Sequence, residues 1–394
     1  MRKIRDFLLK IFKKTDAQRV KKSHEPLFRI VKRTDIKKSK KVIYYFGAIA
    51  FSFIVAALIL IPLKVDPFKY IWEMLTVGII GNKFPHKIIE NLILYAMPLL
   101  ITSLALSLAF RIKFWNIGGE GQFIIGAIAA GTVAFSLGGG DIPTPVLLIL
   151  MCIAGMVAGG LYGLIPTLLK VKLGTNETLL TLMFNYIALY VIVYLGVTKA
   201  GWNFFLRTDS VRPQFAFFPK DTWMSGIKIG NFTLNWGFII TIILFVLVYV
   251  YLNKTKQGYE TLVVGDSVNA ARYAGMKVNR IVIRTMLMSA SLVGLAGAFY
   301  VSSSHSLSES MTGGVGWTGI IVAWLSKLNP VWIFITSVLM SILGYGSKVA
   351  ASQFTNIDAN FANLLQGIIL FLILIADFFI RFKIVVRSKD SEVE

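Results

Sequence analysis

The residues able to do polar chemistry in this chain are few and fall in three short runs. The stretch "NIGGEGQ" sets Asn116, Glu120 and Gln122 among Gly118, Gly119 and Gly121. Such side chains donate and accept hydrogen bonds, and the glycines let backbone kink or helices approach closely. That combination suits contact with a polar solute. A second run places Asn176 and Glu177 at the head of an apolar stretch that carries Asn185 eight residues beyond Glu177. The third run, "GDSVNAARYAG", spans Gly265 to Gly275 and contains Asp266, Ser267, Asn269, Ala270, Ala271 and Arg272. No phosphate-binding G-x-x-x-x-G-K-[ST] run, zinc-protease H-E-x-x-H run or pair of catalytic carboxylates is present. His24, His86 and His305 lie far apart, and Cys152 is the single cysteine. Neither a metal site nor a disulfide within the chain is therefore expected.

The elements that must position these residues are apolar. The chain has 394 residues, of which 56% are hydrophobic and 15% charged, with a mean hydropathy of +0.69. These values point to a polytopic membrane protein. The net charge of +21 does not indicate nucleic acid, because sixteen Lys and Arg against four Asp and Glu are gathered in residues 1–41. A basic tail beside a membrane span marks the cytoplasmic side and touches anionic lipid. An apolar run of more than twenty residues begins near Val42, which reads as an uncleaved first span. Residues 3–14 are either a helix on the membrane surface, with Ile4, Phe7, Leu8, Ile11 and Phe12 on one face, or part of a disordered basic tail.

Segments of about 20 apolar residues give the spans. They fall at 42–64, 88–110, 117–137, 145–168, 177–198, 236–253, 284–303 and 361–380, with shorter pieces at 316–328 and 331–346. Ten crossings place Arg111, Lys113, Lys170, Lys172, Lys254, Arg272, Lys327 and Arg381 on the inner side, together with both termini. Residues 316–346 alternatively form a re-entrant pair. The expected organisation is a cytoplasmic tail at 1–41, a membrane domain at 42–380 with a cytoplasmic loop at 254–283, and a second tail at 381–394.

Each polar run has a purely structural reading beside the functional one. Asn116 and Glu120, if helical, share a face and either meet solute or cap the third span. Asn176 and Glu177 suit capping of the fifth span, with a gate role as the alternative. Asn185 lies deeper, where an unpaired amide is costly; it clamps a neighbouring helix or faces a path. Asp377 and Arg381 are four apart, either paired on one helical face or both exposed. Asp266 or Ser267 caps a short helix that Gly275 ends, with Ala270, Ala271 and Ala274 as a flat small-residue face.

"GDSVNAARYAGMKVNRIVIRTMLMSASLVGLAGAFY" resembles the coupling-helix region of ABC importer permeases, in the branch serving simple sugars, branched-chain amino acids and nucleosides. Gly265, Asn269, Ala270, Ala271 and Gly275 match that motif, and Arg272 sits where a charge can face an ATPase. "FWNIGGEGQFIIGA" and "LGTNETLLTLMFNYIALYV" resemble the nucleoside-type permeases that partner with a basic-membrane-protein-type lipoprotein. "GWTGIIVAWLSKLNP" is similar to the family's late gate-region motif, with Trp317 and Trp324 as departures. The resemblance runs from about residue 40 to 380. It implies an all-α polytopic membrane protein of eight to ten transmembrane helices, a type II-like ABC importer permease. It also implies a bacterial cytoplasmic membrane, a substrate path or gate at the first two runs, and ATPase coupling at the third. The implied partners are an ABC ATP-binding subunit that uses the ATP, a second and different permease, a substrate-binding lipoprotein and the nucleoside itself. No cofactor and no ATPase site are expected in this chain. An ion-coupled secondary transporter is the rival class, and it would need carboxylates near mid-membrane.

Overall fold

Small residues, rather than amphipathic stripes, set how the central helices meet. The computed structural model describes residues 28–33, 38–80, 82–354, 356–357 and 359–386. Helix α5 (Thr144–Leu173) carries Gly155 and Gly159, α10 (Val278–Ser304) carries Ala290, Gly294 and Ala298, and α4 (Gly119–Leu137) carries Gly126. These faces meet at Gly294. A Cβ on Gly294 would lie 2.1 Å from the Gly155 carbonyl oxygen and 2.9 Å from the Gly159 Cα. A Cβ on Gly126 would lie 2.4 Å from the Gly294 Cα. Lipid offers no hydrophobic drive for association, so close backbone approach through small residues is what joins such helices. The three helices and α3 (Pro85–Arg111) enclose the main core, which includes Ile101, Phe123, Met151, Val293 and Phe299.

Around this centre lie α2 (Pro67–Thr76), α6 (Glu177–Val197), α7 (Trp236–Lys254), α11 (Val315–Leu325) and α12 (Pro330–Ser352). Among the described residues seven helices are long and apolar enough to cross a membrane: α3, α4, α5, α6, α7, α10 and α12. The expectation of a further crossing at 316–328 is corrected here. Helix α11 has only 11 residues, about 16 Å at 1.5 Å per residue, roughly half of the apolar thickness. Helix α12, the second half of the re-entrant alternative, has 23 residues and is long enough to cross. Between them Lys327 and Leu328 both have positive φ, and Asn329 caps α12 by accepting from the Val331 N–H at 3.0 Å.

Several elements of the membrane domain were not read from the sequence. Asp66 caps α2 by accepting from the Phe68 and Lys69 amides. The 199–235 stretch ends in an antiparallel hairpin of β2 (Gly226–Ile229) and β3 (Phe232–Asn235), turned at Gly230 with φ +62°. In the 254–283 segment, α8 (Lys256–Asp266) precedes the expected short helix α9 (Val268–Tyr273).

The chain divides into two compact units, residues 52–370 and the two terminal portions. In the terminal unit β1 (Phe28–Lys32) pairs antiparallel with β4 (Phe382–Val386), Phe28 opposite Val386 and Lys32 opposite Phe382. Helix α1 (Lys38–Leu60) starts four residues before the expected boundary, and α13 (Ala359–Arg381) carries the Asp377–Arg381 ion pair at 2.6 Å. The expected surface helix at 3–14 and the tail beyond residue 386 lie outside the described residues.

Candidate functional site

The first polar run forms an elbow between α3 and α4. Lys113 has φ +56°, which a helix does not permit, and residues 114–118 stay non-helical until α4 starts at Gly119. Buried backbone with no ladder of its own needs other partners. Helix α6 supplies them. Thr181 Oγ1 accepts from the Ile117 N–H at 3.1 Å, Asn185 Oδ1 accepts from the Gly121 N–H at 2.8 Å, and Asn185 Nδ2 donates to the Ile117 carbonyl at 2.7 Å. Asn185 therefore clamps the elbow to α6.

Asn116 lies before the helix, not on it, so the expectation that it shares a helical face with Glu120 is corrected. Its amide pairs with that of Gln122 through two hydrogen bonds, Asn116 Nδ2 donating to Gln122 Oε1 at 3.2 Å and Gln122 Nε2 donating to Asn116 Oδ1 at 3.1 Å. Asn116 Oδ1 also accepts from the Gly118 N–H. Both side chains are buried.

Glu120 turns elsewhere. Its Oε1 accepts from the Gly316 N–H at 2.8 Å and from the Trp317 N–H at 3.2 Å. These are N-terminal amides of α11, whose own cap position, Gly314 at φ +77°, has no side chain. A helix N-terminus carries unpaired donors and partial positive charge, and a carboxylate satisfies both. Glu120 thus caps α11 rather than the helix on which it sits. The glycines around it make room. A Cβ on Gly119 would touch the Gly316 Cα at 3.4 Å, and one on Gly121 would meet the Phe184 carbonyl oxygen at 3.0 Å.

Glu120 and Asn185 border a cavity of about 260 Å³ together with Tyr186, Thr312 and Trp317, whereas Asn116 and Gln122 do not. The two tryptophans that depart from the family pattern have distinct places. Trp317 lines this cavity, and Trp324 stacks on Trp115 of the elbow with ring centres 5.1 Å apart. Arg111 Nη2 donates to the Leu328 carbonyl at 3.0 Å, fastening the end of α3 to the turn after α11. Thr181 and Trp115 lie inside the stretches that the sequence singled out, but neither was assigned a site role there; the structure makes both of them elbow residues.

Asn176 and Glu177 act at the start of α6. Asn176 Oδ1 accepts from the Leu179 N–H at 3.2 Å, and Glu177 pairs with Lys170 at 2.7 Å. Helix α9 has the expected caps: Ser267 Oγ accepts from the Ala270 N–H at 3.2 Å, and Gly275 follows with φ +74°. Gly265 is a close-approach position, where a Cβ would fall 1.8 Å from the Arg111 carbonyl oxygen. Lys113 Nζ donates to the Asp266 carbonyl at 3.3 Å. The α8–α9 loop is therefore seated on the last turn of α3 and the first residues of the elbow. A groove of about 440 Å³ beside it is bordered by Lys113, Lys170, Glu177, Asp266 and Arg272.

Ala271 does not belong to an outward face. It is fully buried in a cluster of the chain's own residues that includes Ala109, Ile112, Phe114, Val264 and Met286. The exposed residues of this helix and its caps are Ser267, Val268, Asn269, Ala270, Arg272, Ala274 and Tyr273, the last 94% exposed. Ala271→Glu is expected to reduce folded protein, because it buries a charge with no partner. Fluorescence-detected size exclusion of the variant checks this, and an unchanged peak would show that the helix can turn Ala271 outward.

Apolar helices of membrane-crossing length, packed through glycines around a non-helical elbow held by buried amides, make this a multi-pass membrane protein. The chain belongs to the family described as branched-chain amino acid transport system, permease component, whose pattern matches residues 88–374. Among curated relatives, nucleoside ABC transporter permease protein NupB of Lactococcus lactis is 31% identical over 319 residues, covering 79% of this chain and 85% of NupB. Guanosine ABC transporter permease protein NupP of Bacillus subtilis is 31% identical over 252 residues, covering 64% of this chain and 70% of NupP. Glucose ABC transporter permease protein TsgB13 of Haloferax volcanii is 26% identical over 342 residues, covering 84% of this chain and 86% of TsgB13. The two nucleoside systems each contribute a second, weaker match, NupC and NupQ. NupB, NupP and TsgB13 are all named as permease proteins of ABC transporters, which groups the chain with transport subunits.

Proposed function

We propose that this chain is the permease subunit of an ATP-driven importer of nucleosides in a bacterial cytoplasmic membrane. The substrate class is supported by the names of NupB and NupP. The observation that carries the mechanism is the seating of α8 and α9 on the elbow, at Gly265 against Arg111 and Lys113 against Asp266. An ATP-binding subunit uses the ATP and docks on the exposed side of α9 and the adjoining groove. A second, different permease completes the pore, as the NupB/NupC and NupP/NupQ pairs suggest. A lipoprotein delivers the solute from the other side. Pairing of β1 with β4 supports residues 28–32 and 382–386 lying on one side of the membrane, which this reading takes as the cytoplasmic one. The inward- and outward-facing states differ in how they bind ATP and solute, and that difference drives the cycle. The type II-like arrangement is part of this reading. An ion-coupled carrier is disfavoured, because the buried carboxylate Glu120 is engaged as a helix cap.

Uptake of labelled guanosine in cells with and without the gene tests the proposal, with uridine, glucose and leucine as competitors. Block by nucleosides alone supports it. Block by glucose or leucine moves the chain to a sister branch, a reading to which the TsgB13 match lends some weight. Tyr273→Ala is expected to lower uptake at least several-fold while folded protein stays at the wild-type level, since this side chain touches little of its own chain. Unchanged uptake would remove α9 from the docking surface.

A further inference from the structure

A second cavity, of about 380 Å³, lies between α3, α10 and α12 at the end of the bundle away from α9. Its volume is within the range of small-molecule sites. Tyr95 and Tyr345 form one wall, with ring centres 5.9 Å apart, and Tyr300 forms another. The Lys348 ammonium lies 4.9 Å from the centre of the Tyr95 ring and makes no ion pair among the described residues. Among the described residues no carboxylate lines the cavity. Ser303, which also borders it, has a buried hydroxyl with no hydrogen-bond partner in the structure.

This lining selects a definite chemistry. Tyrosine faces take an aromatic ring. An ammonium only donates, so it favours a ring edge that presents acceptors and disfavours one that presents donors. A buried free hydroxyl adds a further place for a polar group of the ligand. Guanine offers O6 and N7 side by side, both acceptors, and lysine recognises that edge; adenine places an amino donor beside N7. Thr312 borders both this cavity and the one at Glu120. The segment between them contains Gly313 and Gly314, both at positive φ.

We infer that the tyrosine-lined cavity is a binding station for the base of a 6-oxopurine nucleoside, with Lys348 donating to O6 and N7. This rests on the nucleoside-permease reading and adds to it a selection made by the permease itself rather than by the delivery protein. Equilibrium binding to the full-length permease pair in lipid nanodiscs, without the lipoprotein, tests it with labelled guanosine. Adenosine and 7-deazaguanosine, which lacks the N7 acceptor, are the competitors. The wild type should prefer guanosine over both by about tenfold, the scale of one charged hydrogen bond. Lys348→Met should lose that preference, its affinity for guanosine falling to that for adenosine and 7-deazaguanosine. Equal competition by guanosine and 7-deazaguanosine in the wild type would overturn the assignment even if the variant failed to fold. So would a variant that keeps the preference. Failure of the wider reading looks different: no gene-dependent uptake of any nucleoside in cells.

Discussion

Gly294→Leu is expected to leave almost no folded permease. Three helices meet at this one position, and its missing side chain is what lets them. A Cβ there would sit 2.1 Å from the Gly155 carbonyl oxygen and 2.9 Å from the Gly159 Cα, both backbone atoms that cannot swing away. A leucine adds three further carbons, so α5 or α10 must separate over more than a turn. Overpacking of a tight core costs about 1–3 kcal/mol even when neighbours can adjust. Here the close approach is also the main attraction between the helices. Thermal unfolding of the detergent-solubilised chain should show no cooperative transition in the variant. Gly201→Ala is the control, since nothing lies within 4 Å of a Cβ at that position. A wild-type transition in Gly294→Leu would mean that the helices are held by something other than this seam.

Glu120→Ala is expected to abolish uptake. It strips the acceptor from two amides at the start of α11, and each buried donor left unsatisfied costs about 1–3 kcal/mol. The start of α11 should then shift, carrying Trp317 with it. Glu120→Gln keeps a carbonyl oxygen in nearly the same place and loses only the charge. It should therefore fold like the wild type and retain uptake within several-fold. Uptake of labelled nucleoside, normalised to folded protein, separates the outcomes. Full activity in the alanine variant would dismiss the cap. Equal loss in both variants, with normal folding, would show that the charge itself serves the solute path.

What the sequence made legible was local, or was forced by burial. Ser267 and Gly275 framed a short helix because both act within one turn of their own backbone. Asn185 could be read as a clamp because an amide deep in an apolar helix must find partners. The partner of Glu120 could not be read, since it lies 196 residues away in the chain and consists of main-chain amides that any sequence possesses. Ala271 was misplaced for a related reason. A small residue fits equally well against a foreign surface and against the chain's own core, and only the position of α8 on Arg111 decides between them. The strand character of residues 28–32 depends on residues 382–386, so no local pattern reveals it. Asp66 followed by Pro67 was a plain start signal for α2 that composition-led reading passed over.

The contact between Gly265 and the Arg111 carbonyl leaves no room for even a methyl group, which means that the joint has no play. In machinery, backlash is the motion an input makes before the output responds, and here it is close to zero. If α8 is the input of the proposed coupling, a displacement of it would be taken up at once by the last turn of α3. From there it would enter the elbow, whose far end holds α11 through Glu120, so that on the proposed coupling an input at α9 would be delivered at Trp317 with little of its stroke lost.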